Sequence, residues 1–319
     1  MLTFEDFEGQ DPAWCPGCGN FNILKCLKES FVELDLCPER IMMVSGIGQG
    51  AKMPHYTKCN TFNGLHGRTL PVATGIKLVN GDLTVIAVAG DGDCYGEGGN
   101  HLIHTIRKNP DITMIVCNNQ IYGLTKGQAS PTSAKGTISK IQPSGSTAEP
   151  MNPLSLAIAL DCSFVARGFA GNMEQLKKLI KEAIKHKGFS LLDILQPCIS
   201  FNKINTYSWY KERVYDIEKD GVGKKYQKND NNQMNKNRMD KSKINKSKID
   251  KREQQTHDPF DRMKAFELSL EFGDRIPTGI IYKNSRATLR ENIPVIKEKN
   301  LVDMKFEKDS VKKEINKFC

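Results

Sequence analysis

The stretch "LTVIAVAGDGDCYGEGGNHLIHTIRKN", residues 83–109, decides the fold. It opens with an apolar, β-branched run of the length a buried strand needs. Glycines at 90, 92 and 96 then turn the chain, and from Gly99 the pattern becomes helical. A strand, a tight glycine turn and a helix make the half-unit of a parallel sheet wound with crossover helices. The turn also carries two carboxylates, Asp91 and Asp93, directly beyond the strand.

The same alternation runs along the chain. "IMMVSG" (41–46), "ITMIVCNN" (112–119), "SFVARGF" (163–169) and "FSLLDIL" (189–195) read as further strands. Between them, residues 20–36, 99–109 and 172–188 read as helices, the last with apolar Leu176, Leu179, Ile180, Ala183 and Ile184 on one face and a stop at Gly188. The fold class is therefore α/β, a doubly wound and mostly parallel sheet whose near-continuous apolar strands are covered on both faces. Ligands of such sheets bind beyond the carboxyl ends of the strands, where "GDGD" and "CNNQIYG" fall.

The 319 residues, 39% of them apolar, are enough for one sizeable core. We expect one main domain over 1–216, a disordered Lys/Asn-rich insertion over 217–257, a helix-and-strand arm over 258–284 and a charged, patternless tail over 285–319. From Glu218 to Glu253, twelve Lys or Arg face six Asp or Glu, so +6 of the net +9 lies there and +3 on the rest. Its Lys/Asn-rich part, "NNQMNKNRMDKSKINKSKIDK" (231–251), has no interleaved aromatics, which argues against nucleic-acid binding and for a solvated segment. The acidic start "MLTFEDFEGQD" has no signal-peptide pattern and no apolar run is long enough for a membrane span. The cytoplasm is the expected compartment. Ten cysteines in such a chain point to thiols and metal ligation rather than disulfides.

Three readings compete for the aspartate turn. A calcium loop would use Asp91, Asp93 and Gly96, but Tyr95 occupies its fifth position and Leu102 stands where a bidentate Glu is required. A dinucleotide fingerprint needs its third glycine one residue earlier than Gly96. The third is a magnesium–diphosphate site. Asp91 supplies a carboxylate at one strand end, Gly90 and Gly92 admit a close backbone approach, and the next helix points its N-terminus at the anion. Magnesium needs six oxygens, so Asn119 and the Ile121 carbonyl, at the neighbouring strand end, are the candidate co-ligands.

At this point the sequence resembles a known family. "GDGD" with "NN" at the next strand end is similar to the cofactor motif of thiamine-dependent enzymes. "WCPGCGN", "VSGIGQGAKMPHY", "LHGRTLPVATGIKL" and "NNQIYGLTKGQASPT" together resemble the beta subunit of 2-oxoacid:ferredoxin oxidoreductases. The resemblance implies thiamine diphosphate and Mg2+, with Asp91, Asn119 and Ile121 on the metal. It also implies that Ile47, Gly48, Gln49, Gly50, His66, Gly90, Gly92, Asp93, Gly123 and Leu124 line the cofactor. His66, Lys52 and Lys126 are the candidate catalytic residues, the two lysines to hold a substrate carboxylate.

Further implications are oxidative decarboxylation of a 2-oxoacid, 2-oxoglutarate or a broad range before pyruvate, to acyl-CoA and CO2, with electrons passed to ferredoxin. An alpha subunit would bring the pyrimidine-binding domain and its catalytic Glu. The "CxxC" of Cys15 and Cys18 suits an iron–sulfur cluster or zinc. The resemblance adds Cys198 and a fourth cysteine at the place of Gln49, so a [4Fe-4S] cluster has three of its four thiolates. The alternatives are Cys59 as a replacement ligand, a three-cysteine cluster, which we favour, or no cluster. Cys26, Cys37, Cys94, Cys117 and Cys162 read as buried thiols and Cys319 as a tail residue. Two other functions stay open: a non-oxidative thiamine-dependent decarboxylase subunit without the cluster, and a silent scaffold or nucleic-acid binder using the basic block.

Overall fold

A computed structural model describes residues 2–139, 141–222, 256–305, 313 and 315–317. Most of the expected insertion, residues 223–255, and the expected tail residue Cys319 lie outside the described residues. The strands are β1 (Ile41–Ser45), β2 (Asn60–Asn63), β3 (Thr84–Gly90), β4 (Ile112–Asn118), β5 (Ile121–Tyr122), β6 (Gln128–Ala129), β7 (Phe164–Phe169), β8 (Phe189–Leu195), β9 (Val214–Asp216) and β10 (Ile276–Lys283). The helices are α1 (Gly19–Glu33), α2 (Thr69–Val79), α3 (Gly99–Lys108), α4 (Pro153–Ala159), α5 (Met173–Lys185), α6 (Tyr207–Lys211), α7 (Arg262–Ser269) and α8 (Pro294–Lys297). Eight strands form one sheet in the order β2-β1-β3-β4-β8-β7-β10-β9, and β5 with β6 makes a separate antiparallel hairpin. Within the large sheet only β10 against β7 is antiparallel.

The apolar strands sit in the middle because both of their faces are covered. In β3, Val85, Ala87 and Ala89 face one layer and Ile86 and Val88 the other, the period of two that a pleated strand imposes. The first layer is α2, α3, α4 and α7, through Leu70, Leu102, Ile106, Leu154 and Leu268. The second is α1 and α5, whose Ile23, Leu27 and Phe31 meet Leu176 and Ile180. The amphipathic stripe read for α5 is the one it buries, and Asn172 caps it by accepting from the Gln175 amide at 3.3 Å.

From β1 the chain moves outward to β2, then returns on the other side of β1 to enter β3. This reversal opens a crevice between the carboxyl ends of β1 and β3, the switch point where such sheets take ligands. Asp91 lies at its edge.

The segment after the basic block packs on the rest of the domain. Strand β10 enters the sheet beside β7, and α7 packs Ala265 and Leu268 into the first layer. Residues 286–305 fold back on the domain through polar contacts that leave no hydrophobic period. Arg286 Nη1 donates to the Asp161 carbonyl at 2.6 Å, and Asn300 Nδ2 to Asp82 Oδ2 at 2.8 Å. Buried Asn109 ties the parts together from a left-handed position, φ 53°, at the end of α3. Its Oδ1 accepts from Ser163 Oγ at 2.8 Å and the Phe189 amide at 2.9 Å, and its Nδ2 donates to the Arg286 and Ala287 carbonyls at 3.2 and 3.1 Å.

Replacing Asn109 by Ala orphans these partners and strains the backbone. We expect a loss of about 3 to 5 kcal/mol, seen as a lowered urea midpoint with an unchanged slope.

Candidate functional site at the carboxyl edge of the sheet

Asp91 follows β3 and is 2% exposed. Its Oδ2 accepts from Ser130 Oγ at 2.5 Å and Thr132 Oγ1 at 2.6 Å. Thr132 Oγ1 also stands 3.0 Å from Asn118 Oδ1, and its single proton serves one of the two. Burial pushes the Asp91 carboxyl up to about 6, against the opposing pull of the two hydroxyls. It is a carboxylate held in a dry place by neutral donors.

Asp93, two residues on, has a different environment. Its Oδ1 accepts from the Gly67 amide at 2.7 Å and the Ile47 amide at 3.2 Å, and its Oδ2 from Thr69 Oγ1 at 3.2 Å. His66 Nδ1 stands 2.8 Å from the same Oδ1 and 3.5 Å from Glu97 Oε2. Burial raises this carboxyl too, while the two backbone amides and then His66 oppose the rise. Both oxygens of Asp93 are thus spent on joining the loop after β1 to the turn before α2. The loop approaches so closely that a Cβ on Gly46 would fall 2.1 Å from Asp93 Oδ2.

Between the two acids and α3 the chain makes a wide turn over Gly92–Glu97, closed by an i to i+5 bond of 2.9 Å from the Gly98 amide to the Asp93 carbonyl. Such π turns often mark functional sites. Gly92 is obligatory, since a Cβ there would lie 2.1 Å from the Tyr122 ring. Tyr122 Oη in turn donates to the Glu97 carboxylate at 3.1 Å.

After β4 the backbone reverses through Gln120 at φ 57°. Asn119 Nδ2 donates to Gln196 Oε1 at 3.0 Å, and Asn119 Oδ1 accepts from the Ile121 amide at 3.1 Å. The Ile121 amide, which can only donate, fixes which end of the Asn119 side chain is oxygen. Gly123 and Leu124 form the turn of the β5–β6 hairpin. Ile47 and Leu124 are 41% and 43% exposed. Lys52 is half-buried in the 3₁₀ segment Gly50–Tyr56, and Lys126 is exposed on the hairpin turn at φ 75°.

Cys15, Cys18 and Cys198 line one small cavity of about 70 Å3, and Gln49, Asn119 and Gly123 line it with them. The Trp14 indole donates to the Gln49 carbonyl at 2.9 Å, fastening the CxxC segment to the loop after β1. Burial pushes the Cys18 thiol up to about 11, and Cys198 and Cys15 add to the rise. Gln49 Oε1 and Asn20 Oδ1 are buried without partners. Among the described residues no group of three or more His, Cys, Asp or Glu is arranged to hold a single metal ion.

Cys59 is excluded as the replacement ligand. It precedes β2, whose Asn60 pairs with Met42, so parallel pairing carries Cys59 to the amino ends of the strands, opposite Gln49. Cys26, Cys94, Cys117 and Cys162 are buried as expected, whereas Cys37, before the turn at Pro38, is exposed. Ser130, Thr132 and Gln196 escaped the sequence reading. Ser and Thr in "QASPT" carry no spacing signal, and only the folding of the segment after β6 brings them onto Asp91.

Comparison with known proteins gives concordant results. Residues 42–194 match the family model described as thiamine pyrophosphate enzyme, C-terminal TPP binding domain. Residues 198–246 and 236–298 match the family model for the C-terminal part of the pyruvate ferredoxin oxidoreductase beta subunit. The chain is 42% identical over 277 residues to a 2-oxoacid:ferredoxin oxidoreductase subunit beta of Sulfolobus sp, covering 85% of this chain and 81% of that one. It is 44% identical over 193 residues to the 2-oxoglutarate oxidoreductase subunit KorB of Mycobacterium tuberculosis, covering 60% and 52%. A solved 2-oxoglutarate:ferredoxin oxidoreductase from Magnetococcus marinus, with 2-oxoglutarate, coenzyme A and succinyl-CoA bound, superposes with a TM-score of 0.80 at 32% identity, over 98% of this chain and 96% of that one. No helix among the described residues is long and apolar enough to cross a membrane.

The raised Asp91 carboxyl has a signed consequence for stability. The folded chain holds this proton up to about pH 6, whereas an unfolded Asp releases it near 3.8. Asp91 therefore costs stability fully above pH 6, and the cost vanishes as pH falls toward 4. Asp91→Asn should stabilise the ligand-free chain by up to about 3 kcal/mol at pH 8 and by almost nothing at pH 4, measured by urea unfolding at the two pH values.

Proposed function

The chain belongs to the family of 2-oxoacid:ferredoxin oxidoreductase beta subunits, part of a multi-subunit oxidoreductase, and on that premise we propose how its residues serve the reaction. It supplies the diphosphate-binding half of a thiamine diphosphate site. The whole enzyme oxidatively decarboxylates a 2-oxoacid to acyl-CoA and CO2 and passes the electrons to ferredoxin. 2-Oxoglutarate, or a range of 2-oxoacids that includes it, is the favoured substrate over pyruvate. The names of several relatives and the ligands of the Magnetococcus marinus structure support that preference. The catalytic Glu and the pyrimidine-binding domain come from an alpha subunit, and the complex works in the cytoplasm.

The observation that carries this reading is Asp91, a buried carboxylate with neutral partners at the switch point of the sheet. It fits Mg2+ because a divalent cation supplies the charge that Ser130 and Thr132 lack. Asn119 fits because Gln196 holds its Nδ2 and leaves Oδ1, which accepts from the Ile121 amide, one further lone pair for a cation, and the Ile121 carbonyl would complete the protein's share of the shell. Gly90 and Gly92 let the diphosphate approach the backbone. Asp93 works through the Ile47 and Gly67 amides and keeps Ile47, Gly48, Gln49, Gly50 and His66 in place around the cofactor. Leu124 and Ile47 offer it apolar contact, with Gly123 beneath. Lys52 and Lys126 hold the substrate carboxylate. When bound, thiamine diphosphate supplies the electron sink for the carbanion left by decarboxylation. The chain's own contribution is orientation, exclusion of water and charge.

Cys15, Cys18 and Cys198 converge on one cavity and fit an iron–sulfur cluster held by three thiolates. Asn119 and Gly123 wall the same cavity, so such a cluster would adjoin the diphosphate site. A second reading rests on Gln49. An amide in place of a fourth thiolate is a weak iron ligand, and a subunit without a cluster would act as a non-oxidative decarboxylase.

Iron and acid-labile sulfide measured after anaerobic purification of the complex separate the two readings. We expect both elements, and loss of both in Cys18→Ser; absence of both from the wild type supports the decarboxylase. Asp91→Ala should lower 2-oxoacid-dependent dye reduction by about a hundredfold or more, and turnover at the wild-type rate would contradict the metal assignment.

A further inference from the structure

A second cavity, of about 450 Å3, opens beside β7 and is walled among others by Arg167, Asn118, Thr132, Met151, Trp209 and Phe272. Its size is that of a small-molecule site. Among the described residues Arg167 is the one charged side chain on its walls, and it is 1% exposed. The neighbouring acid is Asp193 on β8, whose Oδ1 is taken by Tyr95 Oη at 2.8 Å and Asn118 Nδ2 at 3.0 Å. Asp193 Oδ2, which has no hydrogen-bond partner of its own, lies 3.7 Å from Arg167 Nε, a buried ion pair too long for a hydrogen bond. Arg167 Nε and Nη1 are consequently buried donors without partners. Phe272 adds only a ring centroid 5.4 Å from the guanidinium carbon.

Asp193 faces Nε, so Nη1 is the nitrogen left without any acceptor, and a buried guanidinium nitrogen in that state is costly until one answers it. With the Nε edge turned to Asp193, a carboxylate in the cavity can accept a charge-assisted hydrogen bond from Nη1, on the far side of the guanidinium plane. Apart from the Thr132 hydroxyl the remaining walls are apolar or amide, with no second cation among the described residues, so they suit the body of a molecule that carries one negative charge. We propose that this cavity binds a monocarboxylate with an apolar body, its carboxylate on Arg167 and its hydrocarbon against Met151, Trp209 and Phe272. The site is separate from the diphosphate cradle, yet Thr132 belongs to both, as a wall of the cavity and a hydrogen-bond donor to Asp91. The proposal does not rest on the function proposed above.

The test is calorimetric titration of phenylacetate, succinate and inorganic phosphate into the complex of the full chain with its partner subunit, already saturated with thiamine diphosphate and Mg2+. Phenylacetate should bind the wild type at least tenfold more tightly than succinate or phosphate. Arg167→Met and Leu270→Glu should each weaken it at least tenfold. Leu270 lies on the exposed rim of the cavity, so its variant probes the site even if loss of Arg167 disturbs folding. No binding of phenylacetate to the wild type, wild-type affinity in either folded variant, or equal affinity for succinate or phosphate would overturn the proposal.

Discussion

One constraint organises the carboxyl edge of this sheet: a carboxylate, Asp91, is held out of water with neutral hydroxyls as its partners. Burying a negative charge without a counter-ion is unfavourable, and the chain maintains it only because the surrounding frame is rigid. β3 and β4 are buried along nearly their whole length, the glycine at 92 is demanded by the ring of Tyr122, and the wide turn that follows fixes the direction of α3. Asp93 has the same chemistry and another task. Two backbone amides, a threonine and a histidine surround it, so it stitches the loop after β1 to the turn before α2. Environment, not residue type, divides the labour between the two acids.

The second organising feature is shared walls. Asn119 and Gly123 border both the proposed diphosphate cradle and the three-cysteine cavity, and Thr132 borders both Asp91 and the cavity of Arg167. All three arise from the turns that follow β4, β5 and β6. A short polar stretch of chain thereby touches every candidate site described above, and its geometry depends on the left-handed residue Gln120 and on Gln196, which orients Asn119.

Much of this was legible in the sequence for physical reasons that can be named. Strands covered on both faces must be apolar throughout, so β3, β4 and β8 could be read within a residue of their ends. The stripe of α5 needs only its 3.6-residue period. What escaped reading was held by polar contacts or by register. The segment after Ser285 docks through Arg286 and Asn300 onto backbone and carboxylate oxygens, which leaves no periodic trace. Ser130 and Thr132 reach Asp91 from about forty residues away in the chain, a gap that only tertiary folding closes. Cys59 looked close to Gln49 in sequence, and only the parallel pairing of β2 shows that it lies at the other end of the strands.

The most direct measurement is calorimetric titration of thiamine diphosphate into the assembled complex, first with Mg2+ and then with the divalent metal chelated. Saturable binding that disappears on chelation is the predicted result, because one acid and one amide at adjacent strand ends cannot hold a diphosphate without a cation between them. Equal affinity with and without the metal, or no binding in either state, would contradict the account.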